Sequence, residues 1–89
     1  MNNPEIKTTT DAAWTKVATN VTEGRVYATN SKARYGITFR LTGGAAPHVV
    51  NDLPEALPVP VDGAEISCSD AVDVYVYAWG AGGSVLVHV

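Results

Sequence analysis

The stretch DVYVYAWGAGGSVLVHV, residues 73–89, decides how the rest of the chain is read. Two runs of strict alternation flank Gly80-Ala81-Gly82-Gly83, and a period of two is the mark of a β-strand, whose successive side chains point to opposite faces. Val74, Val76 and Ala78 share one face of the first run, while Tyr75, Tyr77 and Trp79 share the other. Glycines tolerate the positive φ angles of a tight reversal, so the two runs are expected to pair as an antiparallel hairpin. A turn centred between Ala81 and Gly82 sets Trp79 opposite Ser84, Tyr77 opposite Leu86 and Tyr75 opposite His88. Val85, Val87 and Val89 then face Ala78, Val76 and Val74 and supply a core. A strand with one face in water does not carry three large rings there. The aromatic row is therefore expected to be a second layer of core, an interface with another chain, or a stacking platform for a ligand such as a sugar.

The same short-strand pattern extends back to Trp14. Strands are expected near 13–19, 25–30, 35–42, 48–51, 57–61, 64–69, 72–79 and 84–89, with turns at Glu23-Gly24, Asn30-Ser31-Lys32, Thr42-Gly43-Gly44, Asp62-Gly63 and Gly80-Ala81-Gly82-Gly83. No stretch sustains a helical apolar stripe. In YGITFRLT, residues 35–42, Tyr35, Ile37, Phe39 and Leu41 point one way. Gly36, Thr38, Arg40 and Thr42 point the other, so one face should pack and one should face water. In LPEALPVPV, residues 53–61, Pro54, Pro58 and Pro60 each lack a backbone donor, which assigns the segment to a sheet edge or a crossover. The expected fold is all-β: one small antiparallel β-sandwich of about eight short strands over residues 13–89, of which a jelly roll is one arrangement. Residues 1–12 are polar, with Pro4 and Thr8-Thr9-Thr10, and are expected to form an extended arm outside the core.

Length and composition narrow the function classes. Eighty-nine residues make one small domain, whose limited core leaves stability to be supplemented by disulfides, metal or oligomerisation. Cys68 is the only cysteine, and His48 and His88 stand outside any metal-ligand spacing, so no metal or cofactor is expected. Oligomerisation is the remaining support. Six Lys and Arg against nine Asp and Glu give a formal charge of −3, and Lys7, Lys16, Arg25, Lys32, Arg34 and Arg40 are dispersed, which argues against nucleic acid as a partner. No apolar run has the length of a bilayer span, and MNNPEIKTTT has no signal-peptide core, so no membrane partner and synthesis in a cytoplasm are expected.

No residue set names a reaction. Cys68 alternates with Ser67 and Ser69 on an expected strand, with nothing to depress its pKa, and is read as a small core residue. His48 follows Pro47 and is read as a strand or surface residue. Asp52, Glu55, Asp62, Glu65, Asp70 and Asp73 fall mostly at turns and strand ends, where solvation and turn geometry account for them. Thr42-Gly43-Gly44 runs into Ala45-Ala46-Pro47 with no lysine, unlike a phosphate-binding loop. The expectation is a protein that is not an enzyme.

Taken together, AWTKVATN, GRVYATN, YGITFRL, PEALPVPVDGAEI and the VYVYAWG to SVLVHV ending resemble the small virion structural proteins of tailed bacteriophages, the capsid decoration or cement proteins and related head or tail ornaments. The likeness is architectural and covers about residues 13–89. It implies a compact sandwich, commonly a homotrimer, that binds the major capsid protein or another virion protein and stabilises the shell, with the virion as its location and the host cytoplasm as its place of synthesis. The interface residues expected from this chain are Pro4, Glu5, Ile6 and Lys7 in the arm and Tyr75, Tyr77, Trp79 and His88 on the aromatic side. The alternative expectation is a small carbohydrate-binding or tail-appendage module that uses the aromatic strand face.

Overall fold

A computed structural model describes residues 4–10, 12–29, 34–49, 53–60, 62–79 and 83–89. Among these, six strands form one hydrogen-bonded sheet: β1 (Glu5–Thr9), β2 (Trp14–Ala28), β3 (Arg34–Leu41), β4 (Leu57–Pro58), β5 (Ala64–Trp79) and β6 (Gly83–His88). The spatial order is β1-β6-β2-β5-β3-β4, and every pairing is antiparallel. The all-β class read from the alternation holds, but the strands belong to a single sheet rather than to two separate ones.

Two long strands shape that sheet. β5 has 16 residues, which fully extended would reach about 50 Å, whereas the longest dimension of the molecule is 31 Å. The strand has to bend. Its partner β2 bends with it, and the pairing shifts register between Lys16 and Ala18, between Ala18 and Val21, and between Val21 and Glu23. Such irregularities sharpen local twist and let one strand turn a corner. Asn20 sits in this region at φ 57°, a left-handed conformation that asparagine tolerates better than most residues. Gly24 follows at φ 148°, and a Cβ there would lie 2.6 Å from the carbonyl oxygen of His88. The expected turn at Glu23-Gly24 is thus a bend inside one strand, and the two strands expected on either side of it are one.

The terminal hairpin is not formed. β6 pairs with β2 and β1, and β2 lies between β5 and β6. Because β2 is antiparallel to both, β5 and β6 run in the same direction, which a flat sheet could join only by a long crossover. The bend removes that need. It carries the end of β5 back toward the start of β6, where Thr9 pairs with Gly83 and the Ala12 amide donates to the Ala78 carbonyl at 2.9 Å. The expected partners of Tyr75, Tyr77 and Trp79 are therefore replaced, although the assignment of side chains to faces survives. Val74, Val76, Ala78 and Val85 are fully buried, and Val87 nearly so, in one cluster with Val17, Val26, Tyr35, Ile37, Ile66 and Val72.

Three further expectations change. Residues 5–9, expected as part of an extended arm outside the core, form the edge strand β1, with Thr9 buried and its hydroxyl donating to the Gly83 carbonyl at 3.0 Å. His48 and Val49 are not in a strand, and the rest of the strand expected at 48–51 lies outside the described residues, as do the turns at Asn30-Ser31-Lys32 and Gly80-Ala81-Gly82. The strands expected at 64–69 and 72–79 are one. The proline-rich segment does behave as an edge: Leu57 and Pro58 pair with Ile37 and Gly36 at the end of the sheet. Gly63 turns the chain at φ 95°, its amide donating to the Pro60 carbonyl.

Candidate functional site

The bent sheet has two faces, and the candidate residues divide between two regions of it. The first region is the aromatic row on β5. Register brings Trp14 of β2 and Gly36 of β3 to either side of Tyr77, and Lys16 and Thr38 to either side of Tyr75. Arg34 stands opposite Trp79, with its guanidinium 4.9 Å from the centre of a Trp79 ring. These neighbours close over the tyrosines, which keep only 6% (Tyr75) and 5% (Tyr77) of their surface in solvent. The back of β3, expected to be wet, is buried at Gly36 and Thr38 for the same reason. Leu41, expected to pack, is 63% exposed.

The rings pack edge to face. Trp14 and Tyr77 meet at 65° with centroids 5.5 Å apart, and Tyr77 and Trp79 at 61° and 4.7 Å. This is the geometry that the ring quadrupoles favour. It gives a continuous packed ridge and no flat surface shared by neighbouring rings. Gly36 makes the packing possible, since a Cβ there would lie 2.8 Å from the Ala56 Cβ and 3.1 Å from two carbons of the Trp79 ring. Trp79, partly exposed, borders a shallow cleft of about 290 Å³ with Arg34, Gly36, Ala56 and Pro58. The Trp14 Nε1 proton is buried without an acceptor among the described residues.

The row ends in a polar knot. Asp73, only 4% exposed, accepts hydrogen bonds at Oδ1 from the Asn20 amide and the Thr42 hydroxyl, both at 3.1 Å, while Lys16 Nζ lies 3.4 Å from Oδ2. The left-handed turn at Asn20 aims that amide, so the strand irregularity has an electrostatic purpose as well as a steric one. The amide of Asn20 is the largest influence holding the Asp73 carboxyl below its ordinary pKa. Partial desolvation opposes this, and the Thr42 and Lys16 contacts reinforce it. Lys16 is raised above its ordinary value, first by its hydrogen bond to Asp73 and then by the charge of the same carboxylate. Its ammonium also lies 5.7 Å from the centre of the Tyr75 ring. No sequence pattern linked Lys16, Asn20 and Thr42 to Asp73, because the bend that gathers them has no short-range signature.

The second region is the wing made by β1, β6 and the second half of β2. Ile6 pairs with Leu86, and Leu86 with Tyr27, so the three side chains form one transverse row on the outer face. Ile6 is 68% exposed, the most of any large apolar residue described. Glu5 and Lys7 point to the inner face and form an ion pair at 2.9 Å, a contact worth little at this exposure. Pro4 is exposed immediately before them. His88 pairs with Arg25 at the far end of β6 and does not meet Tyr75. The eight candidate interface residues are thus not one patch: Tyr75, Tyr77 and Trp79 belong to the ridge, and Pro4, Glu5, Ile6, Lys7 and His88 to the wing.

Cys68 is half-buried against the core cluster, and His48 is exposed. Among the described residues no three His, Cys, Asp or Glu side chains gather as metal ligands, and no helix is long and apolar enough to cross a membrane. Comparison with protein-family models, with curated proteins and with solved structures found no match.

Proposed function

We propose that this protein is a non-enzymatic structural component of a tailed-phage particle, a decoration or cement protein that binds the major capsid protein or a neighbouring virion protein and stabilises the shell. The observation that carries the reading is the wing: a large apolar side chain, Ile6, stands mostly in solvent on the edge strand, in line with Leu86 and Tyr27. An apolar row beside polar residues is the kind of surface that a protein partner covers. Many symmetry-related copies on a shell turn a modest contact per copy into durable attachment.

The aromatic ridge supports the same division of labour. A sugar platform needs exposed rings that share a plane, and here the two tyrosines are buried with their neighbours at 61° and 65°. Their bulk is used to hold the domain together, so docking is assigned to the wing. The test is co-sedimentation with purified particles from the phage that encodes the chain. The full-length protein is expected at a fixed copy number per particle, and Ile6→Asp is expected to be released from particles with its melting transition intact. A wild-type chain absent from particles, or an Ile6→Asp chain retained at full stoichiometry, overturns the proposal.

A further inference from the structure

β1 is the terminal strand of the sheet: β6 pairs with one of its edges, and no described strand pairs with the other. Open edges invite pairing with another chain, and natural proteins usually blunt them with charge or proline. This edge has charges, but their order is Glu5-Ile6-Lys7, which is its own complement when reversed. We infer that β1 pairs antiparallel with β1 of a second copy about a two-fold axis through Ile6, joining two six-stranded sheets into one.

The register follows from pleat and charge. A two-fold axis perpendicular to the sheet keeps outer face with outer face, so a residue can meet only partners that point the same way. Centring on Ile6 sets Glu5 opposite the partner's Lys7, Lys7 opposite the partner's Glu5, and Ile6 opposite its own copy. Centring on Glu5 or on Lys7 sets like charges opposite each other, which directly opposed strand positions disfavour. One register of the three is therefore both pleat-matched and charge-matched. In that register the outer row becomes continuous across the axis, from Tyr27 through Leu86 and Ile6 to the same three side chains of the second copy. The solvent-facing isoleucine then packs sideways against its equivalent, and the outer face of the doubled row stays open. The two Glu5–Lys7 pairs, one within each strand, exchange for two pairs between strands on the inner face. Pro4 lacks an amide donor, and the two-fold axis places one copy of it at each end of the paired segment, which it limits.

This inference stands apart from attachment to a particle. A paired dimer that ignores particles would sink the proposed function and leave this one standing. The test is light scattering after size exclusion on the full chain, with three charge variants. The wild type is expected at twice its monomer mass of 9.3 kDa. Glu5→Lys alone and Lys7→Glu alone each put like charges across the axis and are expected to raise the dimer dissociation constant by tenfold or more, about the effect of 1.4 kcal/mol. The double variant Glu5→Lys with Lys7→Glu restores complementarity in the reversed sense and is expected to recover the dimer. Far-ultraviolet circular dichroism confirms that each variant remains folded. A monomer or a trimer for the wild type, or a double variant no better than the singles, overturns the inference.

Discussion

Replacing Tyr77 by alanine tests whether the outer face of β5 is a structural layer. Tyr77 is 5% exposed, is flanked by Trp14 and Gly36 across the two neighbouring strands, and touches two indoles edge to face. Removing a buried aromatic ring to alanine costs about 3–5 kcal/mol through lost transfer energy and the cavity left behind. The backbones of β2, β3 and β5 hold that cavity open, because all three strands are hydrogen-bonded across it. An 89-residue domain has about 4–13 kcal/mol of total stability, and about 1 kcal/mol moves the midpoint of a domain this size by about 4–8 °C, so the variant should melt about 12–40 °C lower. Val76→Ala supplies the reference. Val76 neighbours Tyr77 in sequence but lies on the opposite face, fully buried, and loses about 2 kcal/mol for two methyl groups and their cavity. Urea denaturation followed by circular dichroism is expected to rank Tyr77→Ala as the more damaging of the two, with an unchanged slope. If Tyr77→Ala costs less than about 0.5 kcal/mol, the range of an ordinary surface substitution, while Val76→Ala keeps its cost, the second layer does not exist and the ridge is free for a ligand.

Three further outcomes follow from local geometry. Gly36→Ala is expected to destabilise by about 1–3 kcal/mol through overpacking, because its Cβ meets Ala56 at 2.8 Å and the Trp79 ring at 3.1 Å; adding Ala56→Gly should restore part of the loss in a double-mutant cycle. Gly63→Ala is expected to be worse than an ordinary turn substitution, since φ is 95° and the new atom would lie 2.8 Å from the Tyr27 ring, and a thermal melt reads the difference. Asp73 gives a pH dependence. Its folded pKa is depressed by the Asn20 amide first and by Thr42 and Lys16 after it, so the unfolded chain takes up the proton first as pH falls. Its contribution is complete above the unfolded value of about 3.9 and is lost as pH drops through the lower folded value. Asp73→Asn should therefore be less stable than wild type at neutral pH and lose less between pH 5 and 2; parallel acid-denaturation curves for the two proteins would contradict the network.

Local alternation was enough to assign faces. Val74, Val76 and Ala78 are core and Tyr75, Tyr77 and Trp79 lie opposite them, because a period of two is written in consecutive residues and does not depend on who the neighbour is. Pairing was not legible. Glycine at 24 reads as a hairpin turn, yet Gly24 and the left-handed Asn20 bend a single strand without ending it. The difference lies in β5, which continues past Asp70 and Ala71 and keeps β2 extended alongside it, a tertiary effect invisible in a short window. The Gly80–Gly83 run signals a reversal to an adjacent strand, but the bend lets β2 take the place between β5 and β6. Residues 5–9 carry no apolar periodicity at all, since Ile6 is their one large apolar side chain, and they join the sheet through backbone hydrogen bonds to β6. Asp73 and Lys16, 57 positions apart in the chain, meet only because of the same register.

The two regions of the outer face place opposite demands on the same sheet. Around the ridge three strands cross under large rings, and each ring is held by a neighbour on either side: Trp14 and Gly36 for Tyr77, Lys16 and Thr38 for Tyr75. Aromatic bulk there compensates for a core that a chain of this length cannot make thick. On the wing the described sheet ends, so the row that begins with Tyr27 and Leu86 reaches Ile6 and, among the described residues, meets no further strand. A structural row is closed on both sides, whereas this one is closed on one. The sequence feature that first suggested an interface, the three rings on β5, thus describes folding. The feature on which the proposed interface rests is a single isoleucine between two opposite charges, which acquires meaning only once the edge of the sheet is known.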